Sequence, residues 1–314
     1  MAYRGPRHEA GVAMLGTTGS GKSTFLGALD IALLEQEGDW RIWSSDPASK
    51  KALIEMSDAL NSKGEFPLPT GAIDTFEWTL SGQVERTVRN GRRGTRTVQE
   101  PVSLTLKLTD PTGELGRPDQ IGQPTREQLM ENLASSRGIL YMFDPIREFR
   151  KGDAFAQTNN LVKDLMATMG GDPAFDGRLP HHLAVCVTKL DDPRVFKTAE
   201  SLGILMEDDR RFPRVHNHDA RFLLDSLCKV SKRGNGDAVP RLLGRCFHPD
   251  RISYYVTSAV GFMVNKRTRG FDDQDTENVY QIASGRSLVR GPVHPINVVE
   301  PVLWLVDRLL AAGE

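Results

Sequence analysis

Eight residues near the amino terminus have the types and spacing for phosphate chemistry. Gly16-Thr17-Thr18-Gly19-Ser20-Gly21-Lys22-Ser23 matches GxxxxGK[ST] at every fixed position. The glycines let backbone N–H groups curl around phosphate oxygens. A helix beginning at Lys22 would add the positive end of its dipole. Lys22 can reach the outer phosphates, and the Ser23 hydroxyl is a ligand for Mg²⁺. The plain alternative is a glycine-rich turn before a helix. The apolar run Gly11–Leu15 before the loop and the amphipathic stretch after it supply the strand–loop–helix context that the motif requires.

Three later stretches also follow predicted strands. Thr188-Lys189-Leu190-Asp191 comes directly after Leu183–Val187. A carboxylate at Asp191 would accept from both N1–H and the 2-amino group of guanine. Adenine has no such donor pair and would leave the acceptors unmatched. The stem of Lys189 can lie on the base plane. Asp110-Pro111-Thr112-Gly113 follows the alternating run Val102–Leu108. There Asp110 would hold Mg²⁺ through water, and the Gly113 N–H would sense a γ-phosphate. Thr257-Ser258-Ala259 follows Ile252–Val256 and resembles the short SA[KL]-type loop whose backbone contacts the guanine O6. Singly, these stretches could equally be a helix-capping Asp, a type I turn and a strand end. Together they stand at the carboxyl ends of predicted strands, where open α/β sheets bind ligands.

The elements that must position these groups alternate short apolar runs with helical stretches, the pattern of an α/β fold with a largely parallel sheet. Phe25, Leu26, Leu29, Ala32 and Leu33 share one face of the helix from Lys22. Asp46-Pro47 predicts an N-cap with proline at the first helical position, for a helix stopping near Gly64. Thr75–Leu80 and Val102–Leu108 flank Arg89-Asn90-Gly91-Arg92, a hairpin signal. Thr125 and Gln128 predict a capping box, Ile139–Phe143 a buried strand, Leu161–Met169 a helix and Val299–Leu310 a closing helix. We expect a single domain over residues 1–314 with insertions at 40–66, 196–250 and 265–295.

Composition narrows the function classes. A hydrophobic fraction of 39% and a charged fraction of 26% fit a globular protein, not a disordered one. Lys+Arg 40 against Asp+Glu 41 leaves no overall field for nucleic acid or an anionic membrane. Cys186, Cys228 and Cys246 form no CxxC pair, which predicts a reducing, cytoplasmic setting. With His248, two of them match no usual zinc spacing. No apolar run reaches 18 residues and residues 1–7 lack an h-region, so neither a membrane span nor a secretory leader is expected. Arg86, Arg89, Arg92, Arg93 and Arg96 gather on the hairpin. They form either a solvated, edge-protecting surface or a partner-docking one, without the aromatic interleaving of an RNA site.

In this order the four motifs resemble those of Ras-like GTPases of the TRAFAC class, over about Gly11–Val260. More narrowly, the long segment before the hairpin and Asp144-Pro145 resemble double-GTPase-type proteins of bacterial conflict and effector operons. The resemblance implies a P-loop NTPase three-layer α/β/α sandwich, a mostly parallel sheet with one antiparallel hairpin strand. It implies binding of GTP/GDP and Mg²⁺, hydrolysis, and a switch acting on a protein effector or regulator, or a nucleotide-dependent homodimer. By it, Gly16, Thr18, Gly19, Ser20, Gly21, Lys22, Ser23, Thr24, Thr188, Lys189, Asp191, Ser258 and Ala259 hold the nucleotide. Ser23, Thr70 and Asp110 hold the metal, and Lys22, Thr70, Gly113 and Glu114 serve hydrolysis.

Some positions depart from the family pattern. Thr70 and Thr75 both fit the switch threonine; the Pro/Gly-flanked loop around Thr70 better suits a segment ordered by ligand. Glu114 stands where the family carries a water-orienting glutamine, with Gln120 and Gln123 further along. Thr18 stands where small GTPases keep glycine and crowds the entry of an arginine finger. Slow intrinsic turnover is therefore expected. Two other readings stay open: a GTP-binding scaffold or assembly module with negligible hydrolysis, and a P-loop ATPase. Leu80-Ser81-Gly82-Gln83 resembles an ABC signature, but the apolar run and Asp-Glu that should follow are missing.

Overall fold

A computed structural model describes residues 11–36, 38–67, 74–89, 95–110, 123–230, 236–265, 267–268 and 270–311. The strands are β1 (Gly11–Gly16), β2 (Arg41–Trp43), β3 (Asp74–Arg89), β4 (Thr95–Asp110), β5 (Gly138–Phe143), β6 (His182–Val187), β7 (Leu205–Glu207), β8 (Pro213–Val215), β9 (Ile252–Val256), β10 (Val279–Gln281) and β11 (Ser287–Val289). The helices are α1 (Lys22–Glu35), α2 (Pro47–Asn61), α3 (Gln123–Ser135), α4 (Pro145–Lys151), α5 (Ala154–Met169), α6 (Pro193–Ser201), α7 (Asn217–Val230), α8 (Ala238–Cys246) and α9 (Glu300–Ala311).

A seven-stranded sheet in the order β2-β3-β4-β1-β5-β6-β9 forms the middle layer. β1 runs parallel to β4 and β5, and β5–β6 and β6–β9 are parallel too. β3 runs antiparallel to both of its neighbours. Every residue of β1 and β5 is buried, as central parallel strands covered on both faces require. Successive side chains point to opposite faces. Val12 and Met14 therefore join α1, α2 and α9 in one core, and Ala13 and Leu15 join α3, α5, α7 and α8 in another. This is the α/β/α P-loop NTPase architecture, a mostly parallel sheet with one antiparallel hairpin strand.

Several boundaries differ from the sequence pattern for local reasons. The hairpin arms extend to 16 residues each, since Thr, Val and Arg continue the alternation beyond the apolar stretch; the Asn90-Gly91 tip lies outside the described residues. α3 begins at Gln123, two residues before the Thr125 box, with Pro124 presetting the helical φ. Ser81 and Gly82 lie inside β3, paired with Ser103 and Val102, with no room for a Cβ on Gly82, which would come within 2.3 Å of Trp40. β2 adds an edge strand that three residues could not announce. Within 196–250, α7 and α8 bury Leu223, Leu224, Leu227, Val239 and Leu243 against the sheet. Within 265–295, the β10–β11 ribbon reaches the end of α2, where the Val289 N–H donates to the Gly64 carbonyl at 2.8 Å. No described helix is long and apolar enough to cross a membrane.

Candidate nucleotide-binding site

The sequence-predicted loop runs from the carboxyl end of β1 into α1. Gly19 and Gly21 take φ of +80° and +98°, where L side chains are strained, and a Cβ on either would meet nothing within 4 Å. Gly16 is required for space instead: a Cβ there would stand 2.6 Å from the Ser20 hydroxyl and 2.9 Å from the Met142 carbonyl. Gly21 occupies the N-cap of α1 with no side-chain cap, and the first turn carries no acidic residue. The positive end of the helix dipole is therefore left without a side-chain cap or a carboxylate in the first turn, an arrangement suited to an anion. Lys22, only 5% exposed, donates to the Gly16 carbonyl at 3.0 Å. The Thr17 and Ser20 hydroxyls are buried without a hydrogen-bond partner among the described residues. Uncapped amides, an inward ammonium and open space at the glycines fit a polyphosphate.

Sheet topology brings the other predicted motifs to the same edge. Ala13 of β1 pairs with Lys107 of β4. Beyond that pair β1 ends at Gly16 and β4 at Asp110. Thr75 is the second residue of β3, paired with Thr109. Thr70, Gly113, Glu114 and Gln120 lie outside the described residues, as do Arg92 and Arg93; Gln123 opens α3.

Beyond β6, Lys189 has a left-handed φ of +65°, and its ammonium reaches the Gly19 carbonyl at 3.1 Å across 170 residues of chain. The same ammonium pairs with Asp144 at 2.6 Å. Asp144 directly follows β5 and caps α4, accepting from the Ile146 N–H at 2.9 Å. Thr188 ties β6 to β5 by donating its hydroxyl to the Phe143 carbonyl at 3.0 Å. Asp191 does not cap the next helix. Asp192 takes that role by accepting from the Arg194 N–H at 2.9 Å, which leaves the half-buried Asp191 carboxylate for other work.

Asp191 accepts from the Ser258 hydroxyl at 2.5 Å, and Ser258 Oγ accepts from the Gly261 N–H at 2.8 Å. The Leu190 N–H donates to the Thr257 carbonyl at 3.1 Å, locking the two loops together. Burial pushes the Asp191 carboxyl up to about 6, against the lowering pull of the Ser258 hydroxyl. Burial also lifts the Cys186 and Cys228 thiols, which makes nucleophilic roles for them unfavourable.

One feature of the site was not foreseen from sequence. Arg147, in the first turn of α4, donates to the Thr18 carbonyl at 3.4 Å. Asp153 holds it with bonds to Nε at 3.0 Å and Nη2 at 2.7 Å. In the sequence Asp144-Pro145 stands out only as a resemblance, and nothing local announces that the next turn faces the loop.

Fold and loop together define a strand–loop–helix of the P-loop kind on β1–α1, which Lys189 ties to the loop beyond β6 that carries Asp191. Among solved structures, the chain is similar to the Arl6 (BBS3) small GTPase of Trypanosoma brucei with bound GppNp, at 10% identity and a TM-score of 0.36, covering 96% of this chain and 98% of that one. It is also similar to the GTPase-like domain of S. cerevisiae Ski7 bound to GTP, at 14% identity and a TM-score of 0.39, covering 98% of this chain and 51% of that one. No family model and no curated protein matches the sequence.

Proposed function

We propose that the protein binds GTP and GDP with Mg²⁺, hydrolyses GTP slowly, and acts as a nucleotide-dependent switch toward a protein partner. One observation carries the reading: Lys189 bridges to the Gly19 carbonyl, while two residues later Asp191 is oriented by Ser258. A single purine nucleotide could then place its phosphates on the loop and its base against the carboxylate. In this reading the amides of residues 18–23 and Lys22 hold the phosphates, and Asp191 accepts from guanine. Ser258 and Ala259 line the O6 side. Ser23 and Asp110, with Thr70, would hold Mg²⁺, which when bound neutralises phosphate charge. Lys22, Gly113 and Glu114 would act on the terminal phosphate. Hydrolysis rests on positioning and charge neutralisation, not on a covalent intermediate. Motif order supports placement among TRAFAC GTPases, and Asp144-Pro145 supports the bacterial effector-operon type. The free thiols suit a reducing cytoplasm.

Competition against a fluescent-labelled GTP tests the base assignment. GTP and GDP should displace the label at concentrations at least about 100-fold below ATP, because adenine leaves a buried acceptor unpaired. Equal displacement by ATP would refute the guanine reading and favour the ATPase one.

A further inference from the structure

Arg147 is costly where it stands. A cation in the first turn of α4 opposes the helix dipole. Its partner Asp153 occupies the N-cap of α5 yet makes no cap bond; both carboxylate oxygens turn to the guanidinium instead. The Ala154 N–H is satisfied by the buried Glu148 carboxylate at 3.0 Å. Gln157, one turn on, donates to Asp153 at 2.7 Å and fixes it. Arg147 is thus held as a rigid fork, and its remaining terminal nitrogen reaches the Thr18 carbonyl.

Lys189 makes the matching contact one peptide further along, on the Gly19 carbonyl. Each of these cations is anchored by its own aspartate, Asp153 and Asp144. A planar trans peptide carries its C=O and N–H on opposite sides. Drawing the Thr18 carbonyl outward therefore turns the Gly19 N–H the other way, toward the phosphate side of the loop.

We propose that Arg147, held by Asp153, is a positioning residue of the phosphate cradle: it fixes the Thr18–Gly19 peptide so that its N–H presents to a nucleotide polyphosphate. The inference rests on the nucleotide reading above only in needing a phosphate ligand. It is independent of which purine that ligand carries.

The test compares Arg147→Ala, Arg147→Lys and Asp153→Asn with wild type, using fluorescent GTP and GDP, with guanosine as competitor. Arg147→Ala should weaken both nucleotides about tenfold and leave guanosine, which has no phosphate, within about twofold. Asp153→Asn, which keeps the guanidinium but loosens it, should give a similar loss, and Arg147→Lys should restore part of the affinity. Single-turnover hydrolysis at saturating GTP should change far less than affinity does. GTP and GDP affinities within twofold of wild type in Arg147→Ala would overturn the proposal. So would a parallel loss of guanosine, which marks general disruption, or a loss confined to turnover, which marks a catalytic role. Wild type that binds ATP and not GTP defeats the guanine reading alone, and the same series is then run with ATP, ADP and adenosine.

Discussion

Replacing Asp191 by Asn should move stability and affinity in opposite directions. The carboxyl of the nucleotide-free protein is pushed up to about 6 from an ordinary 3.8, chiefly by burial. The native state therefore holds a proton that the unfolded chain has lost between these values. Stability from this group is fully present below about pH 4 and is lost as pH rises through about 6. A shift of about two units at about 1.4 kcal/mol each sets an upper bound near 3 kcal/mol. Asp191 is only half-buried, so screening by solvent reduces the expected cost of ionisation to about 1–2 kcal/mol. Asparagine cannot ionise and can still accept from Ser258. Urea unfolding without nucleotide should then find Asp191→Asn more stable than wild type by about 1–2 kcal/mol at pH 7.5, with the gap roughly halved at about pH 5 and closing toward about pH 4. GTP affinity should fall about 100-fold or more, because charge-assisted bonds to N1–H and the 2-amino group are lost. Xanthosine triphosphate should gain, since its 2-oxo group accepts where the new amide donates. For wild type, GTP affinity should drop about tenfold for each pH unit below 6, as the acceptor is protonated. Unchanged GTP affinity in the variant would refute the base assignment; a stability gap independent of pH would refute the electrostatic account of Asp191.

Two further outcomes bear on other parts of the molecule. A Cβ on Gly27 would sit 2.8 Å from the Met56 carbonyl of α2, so Gly27→Ala forces two helices apart. The overpacking outweighs the gain in helix propensity, and a net loss of about 1–2 kcal/mol is expected in urea unfolding. Single-turnover GTP hydrolysis should be slow, and Glu114→Ala should lower it less than about tenfold, below the usual effect of removing a general base; rapid hydrolysis abolished by that change would instead make Glu114 the water-orienting group.

What the sequence made legible was local. Gly16–Ser23 announced itself because a phosphate loop needs glycines and a lysine within one turn of chain, and Asp46-Pro47 because a cap lies beside its helix. The Asp46 carboxylate indeed accepts from the Ser49 N–H at 2.7 Å. β9 ends where its apolar run ends. The hidden features depend on register between distant strands. Arg147 meets Thr18 because β1 and β5 are parallel neighbours, and 129 residues separate them in the chain. The choice of Asp192 over Asp191 as helix cap was also invisible, since adjacent aspartates are chemically identical until the backbone turns.

That turn also fixes the loop that the proposed reading places against the base. A non-glycine residue at positive φ costs about 1–3 kcal/mol and persists only where its surroundings over-determine it. Around Lys189 they do. The Thr188 N–H donates to the Phe143 carbonyl at 3.0 Å, the Leu190 N–H to the Thr257 carbonyl, and the Asp192 N–H back to the Lys189 carbonyl at 2.9 Å. Backbone bonds on both sides of the strained residue thus fix the direction in which its side chain leaves the chain, and the ammonium is held at its end by Asp144 and the Gly19 carbonyl. The strain is borne by the sheet's carboxyl edge, not by the ligand. A nucleotide entering this site would spend little of its binding energy ordering the residues that recognise it, and affinity should track the loss of individual contacts more than the loss of order.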